Sequence, residues 1–91
     1  MSVTVSIPTV LRTLTGGESK VEATGATVGE VLANVEASHP GLQARILEDD
    51  GSIKRFMNLF VDDDDVRYLE GLDTKVADGA SVTIFQAVAG G

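Results

Sequence analysis

The chain has 91 residues, a formal net charge of −7 and no cysteine. A single domain of that size buries only about 60–65% of its unfolded surface, so one modest core is expected and a deep enclosed pocket is not. The composition excludes disulfides, thiolate catalysis and zinc–cysteine sites, and the acidic balance argues against nucleic acid while favouring solubility and a basic protein partner.

The opening "VTVSIP" alternates, with Val3, Val5 and Ile7 on one face and Thr4 and Ser6 on the other, which predicts a half-buried strand ended by Pro8. It has neither the basic start nor the apolar run of an export signal, and no segment approaches the roughly 20 apolar residues of a membrane span. A cytoplasmic protein without a membrane partner is the expectation. Gly16-Gly17 suit the positive φ angles of a tight turn, after which "KVEA" is expected to return as the second arm of a hairpin.

"TVGEVLANVEASHPG" carries the clearest helix signal. Thr27 and Glu30 form a capping box, Val28, Val31, Leu32 and Val35 make one apolar stripe, and Pro40-Gly41 stop the helix. Gly29 inside it costs about 1 kcal/mol relative to alanine, a cost expected where the helix lies close on a sheet. "LQARIL" suits a short second helix, followed by the loop "EDDGS". "KRFMNLFV" is a strand with Met57, Leu59 and Val61 on one face and Phe56, Asn58 and Phe60 on the other. "DDDD" is expected to be a solvated turn, "VRYL" a short strand, "LDTKVADG" one helical turn, and "SVTIFQAV" the last strand, with Val82 and Ile84 opposed to Thr83, Phe85 and Ala87.

The order β-β-α-β-β-β predicts an α+β roll: a mixed sheet of about five strands with one main helix packed across one face. Residues 1–87 are expected to form this domain and residues 88–91 a flexible tail. Parallel pairing of the first and last strands at the centre would bring the chain end out at one end of the sheet.

No catalytic constellation can be assembled. His39, the only histidine, ends the helix, where a cation suits the helix dipole. The run Asp62, Asp63, Asp64 and Asp65 and the stretch "EDDG" lack the bend and distal glutamate of a calcium loop, so no metal site is expected. Gly16-Gly17 precede a strand and no lysine follows in phosphate-loop register.

What remains is "QAVAGG". Terminal glycines carry no side chain, so a backbone ending in them can thread a narrow channel and approach a nucleotide closely. A carboxylate becomes a good electrophile once joined to a leaving group such as adenylate. Gly91 is therefore the candidate reactive residue, with Gly90, Ala89 and Val88 as the threading stem. This is the logic of a carrier: a rigid body for recognition and a thin arm for chemistry.

The strand order, "FMNLFVDDDDVR", "LDTKVADGASVTIFQAVAGG" and the terminal Gly90-Gly91 resemble the ubiquitin-like sulfur carriers of the MoaD/ThiS family, which have a β-grasp fold. The opening "VTVSIPTVLRTLTGG", with Arg55, Phe56 and Asn58 and the closing "AVAGG", is most similar to the actinobacterial carriers of cysteine biosynthesis. The resemblance implies a protein that is no enzyme and binds no cofactor. An E1-like enzyme using ATP and magnesium would adenylate Gly91, and sulfur would replace the adenylate to leave a thiocarboxylate. A pyridoxal-phosphate (PLP) cysteine synthase homologue would accept the sulfur into an activated serine, and a metalloprotease would release the cysteine. The family also contains the small subunit of molybdopterin synthase, and a ubiquitin-like protein modifier is a further alternative. The acidic run "VDDDDV" departs from the family's usual turn. For docking, Phe60, Phe85 and Ala87 on the sheet face away from the helix are the candidate patch, since exposed apolar clusters mark interfaces.

Overall fold

A computed structural model of the chain describes residues 2–86. Strand β1 covers Val3–Ser6, β2 Lys20–Ala23, β3 Met57–Val61, β4 Asp64–Asp65 and β5 Ser81–Gln86, in the spatial order β2-β1-β5-β3-β4. β1 and β5 run parallel at the centre, with Val5 opposite Val82, and every other pair is antiparallel. This is the ubiquitin-like β-grasp roll expected from the strand order.

Alternation decides which face is buried. Val3 and Val5 of β1, Met57 and Leu59 of β3, and Val82 and Ile84 of β5 turn to one side and are buried. Helix α1, Val28–Ser38, lays Val28, Val31, Leu32 and Val35 against them. Each fully buried aliphatic side chain contributes roughly 1.5–3 kcal/mol of transfer free energy, so the core is built almost wholly on this side. Among the described residues, no α-helix packs on the opposite sheet face.

The capping box forms with a one-residue offset. Thr27 Oγ1 accepts from the Glu30 amide at 3.2 Å, while the Glu30 carboxylate accepts from the Ala26 amide at 3.1 Å, one residue ahead of the cap. Gly29 does mark a close approach, but to the 3-10 turn Gly71–Asp73 and not to the sheet: a Cβ there would meet the Leu72 carbonyl oxygen at 3.3 Å.

Three local expectations are corrected. β1 and β2 pair as predicted, yet the connection is no tight hairpin, because Thr9–Thr15 coils into a 3-10 helix that buries Leu11. Gly16 and Gly17 have positive φ (66° and 88°), and they close that helix. "VRYL" forms a 3-10 turn, Val66–Tyr68, instead of a strand. The edge strand comes from Asp64–Asp65, which pair with Val61 and Phe60, so the aspartate run is only partly a solvated turn.

The second helix, α2, covers Leu42–Ile46 and buries Leu42 and Ile46. Its exposed N-terminal amides are capped from a distance. The Glu36 carboxylate accepts from Gly41 N at 2.9 Å and from Gln43 N at 2.7 Å. The Gly41 amide above all, and then that of Gln43, holds the Glu36 carboxyl below the usual carboxylate range. A depressed folded-state pKa means this stabilisation is complete above the ordinary carboxylate pKa and is lost as pH falls through the lowered one. The Gly41 and Gln43 amide resonances are thus expected to shift together in that acid window. In Glu36→Gln they should not titrate there, and a titration that persists in the variant would assign the cap elsewhere.

Candidate functional site

The last described residue, Gln86, pairs with Met57 at one end of the sheet. Two open clefts flank it. One, of about 380 Å3, lies against Leu11, Arg45, Lys54, Arg55, Met57 and Gln86; the other, of about 390 Å3, against Pro8, Val10, Arg12, Thr83, Phe85 and Gln86.

Local chemistry keeps this end open. Pro8 ends β1 and begins the 3-10 helix, turning the chain aside before it covers β5. Arg12 Nε donates to the Ile7 carbonyl at 3.1 Å, and the buried Thr15 hydroxyl reaches the carbonyls of Arg12 and Glu18 at 3.2 and 2.8 Å. On the other side, the Arg67 guanidinium donates to the carbonyls of Met57 and Lys54 and to Asn58 Oδ1. It ties the 3-10 turn to the start of β3 and fixes Asn58, which stands opposite Phe85 on the uncovered face.

Of the residues expected in the docking patch, Phe60 and Phe85 do share that face, one diagonal step apart across β3 and β5, since Phe60 faces Thr83 and Phe85 faces Asn58. Their exposure differs: Phe85 is 56% exposed, whereas Phe60 is half-buried beside β4. Two further apolar side chains belong to the same end. Phe56 is 44% exposed, with the Arg55 guanidinium carbon 5.5 Å from its ring centroid, and Val10 is exposed beside Phe85. Phe56, expected in the strand with Asn58 and Phe60, instead sits in the turn before β3 and borders the first cleft; Val10 was hidden by the unforeseen 3-10 helix. The expected patch residue Ala87, the threading residues Val88, Ala89 and Gly90, and the reactive candidate Gly91 lie outside the described residues.

The set-aside polar residues have structural places. The His39 amide closes α1 on the Val35 carbonyl at 2.8 Å. Asp62 exchanges hydrogen bonds with Ser81, and Asp65 accepts from the Arg67 amide at 2.8 Å. Among the described residues, no three His, Cys, Asp or Glu side chains are grouped to hold a metal, no buried side-chain nitrogen or oxygen lacks a partner, and no helix is long and apolar enough to cross a membrane.

A five-stranded mixed sheet crossed by one helix, with two open clefts and exposed phenylalanines beside the finish of its central strand β5, defines a small ubiquitin-like β-grasp domain. The chain belongs to the ThiS family, whose model matches residues 5–91. It is 50% identical over 93 aligned residues to the sulfur carrier protein CysO of Mycobacterium tuberculosis, an alignment covering all of both chains. A chain in the crystal structure of the Amycolatopsis orientalis BexX/CysO complex superposes with a TM-score of 0.92 and 54% identity, covering 98% of this chain and 99% of that one. The small archaeal modifier protein 3 of Haloferax volcanii is 42% identical over 66 residues, 72% of this chain and 71% of its own.

Proposed function

We propose that this protein is a sulfur carrier for cysteine biosynthesis, working in the cytoplasm as a substrate of other enzymes. The observation that carries the reading is the full-length identity to the mycobacterial sulfur carrier, reaching through Gly91. The end-on exit of β5 fits it: the body of residues 1–87 recognises, and residues 88–91 deliver. A Gly91 carboxylate oxygen attacks the α-phosphorus of ATP on an E1-like enzyme with magnesium, and pyrophosphate leaves. A sulfur nucleophile then displaces AMP, leaving the C-terminal thiocarboxylate. The final acceptor is a PLP-dependent cysteine synthase homologue, and a metalloprotease frees the cysteine.

Gly90, Ala89 and Val88 thread the partner's channel, where a side chain at Gly90 would hold the backbone away from the nucleotide. Ordering this stem costs on the order of 1–2 kcal/mol per residue, which contacts of the body must offset. Phe60, Phe85 and Ala87 supply those contacts.

Intact-mass measurement after incubation with the activating enzyme, ATP and a sulfur donor tests the proposal. Replacement of one oxygen by sulfur is the expected result, and an unchanged mass beside a control carrier that charges overturns it. The partial identity to an archaeal modifier protein favours a second reading, in which Gly91 forms isopeptide bonds. Pull-down from cells separates the two, because a modifier yields a ladder of conjugates and a carrier yields none.

A further inference from the structure

The net charge of −7 suggests a basic partner, but the fold sorts the charges by position. β5 has two ends. At its start, Ser81 is bonded to Asp62, which with Asp63 makes the turn into β4, and Asp78 accepts from the Ser2 amide at 2.7 Å. At its finish, Arg45, Lys54 and Arg55 line one cleft beside Gln86 and Arg12 lines the other. Arg67 reaches the Met57 carbonyl, and Lys20 pairs with Ser6, which borders the second cleft. Four of the seven lysines and arginines therefore line the clefts beside Gln86 and a fifth, Arg67, is bonded to the carbonyl of Met57 opposite it, although Glu48 also borders the first cleft.

Distance decides which end a docking partner senses. The five steps of β5 separate its ends by roughly 17 Å. Charges are screened over about 8 Å at physiological ionic strength. A protein surface meeting the Gln86 end lies about two screening lengths from the aspartates, so the cations dominate there despite the overall acidity.

We infer that the collar of Arg12, Arg45, Lys54 and Arg55 docks on a carboxylate-rich rim around the channel entrance of the activating enzyme, the distal aspartates lying too far off to oppose it. This rests on the sulfur-carrier reading and adds the charge of the partner's surface, opposite in sign to what the total charge suggests. Electrostatic steering of this kind changes association rates by tenfold or more and weakens with salt.

The test is stopped-flow association of the full chain with the E1-like activating enzyme at low and high salt. Arg45→Glu/Arg55→Glu suits it, because neither side chain holds the backbone carbonyls that Arg12 and Arg67 hold. The double variant is expected to associate about tenfold more slowly at low salt, with the deficit closing at high salt. Asp63→Lys/Asp64→Lys should change the rate less than twofold. Circular dichroism of both variants establishes that they fold.

Faster association of the arginine variant, or equal slowing by both variants, overturns the inference. Intact mass read on the same mixtures separates it from the carrier reading. A wild-type chain that binds with this salt dependence but never takes up sulfur removes the carrier function and leaves the docking surface. A chain that charges while its association ignores the arginine reversal does the opposite.

Discussion

Adding one alanine after Gly91 is expected to abolish thiocarboxylate formation, with a fall of at least about 100-fold in the charging rate. The reaction takes place at one carbonyl carbon, and its position relative to the α-phosphate sets the rate. One added residue moves the free carboxylate by up to about 3.5 Å, while misplacement by about 1 Å can already cost 100-fold. It also puts a Cβ where the stem has none. Gly91→Val should act in the same direction, since a β-branched side chain crowds the reacting group and narrows the available backbone conformations. Both changes leave the described core residues, Val3 to Ile84, unaltered, so thermal unfolding should match the unaltered chain. Intact-mass time courses with the activating enzyme and ATP measure the effect, and charging of the extended chain at the unaltered rate would show that the reactive group lies elsewhere.

The core was legible because it follows the simplest periods. Alternation in "VTVSI" and "MNLFV" chose the buried sheet face, and the stripe Val28, Val31, Leu32 and Val35 chose the helix face that covers it. Such patterns are local, and the fold obeys them. "VRYL" misled for the same reason. Its alternation and its β-forming residues suit a strand, but Arg67 is drawn to the Met57 and Lys54 carbonyls, partners far away in sequence, and the segment coils beside β3. Pro8 was legible as the end of β1, whereas the 3-10 helix after it depends on burying Leu11 and Thr15 against a body not yet assembled in the sequence.

The candidate site was proposed from its terminal residues, and its surroundings were blurred in the sequence. The terminal glycines are visible in any reading of the chain. The basic collar is not, because Arg12, Arg45 and Arg55 come to the two clefts flanking Gln86 only once the 3-10 helix, α2 and the turn before β3 are in place. A total charge carries no information on that sorting. Period alone put Phe60 and Phe85 on one sheet face, as the register has them, yet their exposure could not be read from it. Phe85 stays open while Phe60, paired with Asp65 of β4, is half-buried.

That difference gives a crossed prediction for the two phenylalanines. Phe85→Ala is expected to weaken binding to the activating enzyme by about 2 kcal/mol, roughly 30-fold, because a large exposed aromatic beside the docking stem has the features of an interface anchor. Its effect on folding should be small, since 56% of its surface already faces water. Phe60→Ala should do the reverse. Much of its ring is covered by its own chain, so truncation leaves a gap costing about 1–2 kcal/mol of stability, below the 3–5 kcal/mol of a fully buried phenylalanine. It has correspondingly less surface to offer a partner and should change affinity by less than about threefold. Calorimetric titration with the activating enzyme reads one axis and denaturant unfolding the other. If Phe60→Ala costs more affinity than Phe85→Ala, the partner grips the sheet near its acidic end, and the tail-first approach that the charge distribution favours is wrong.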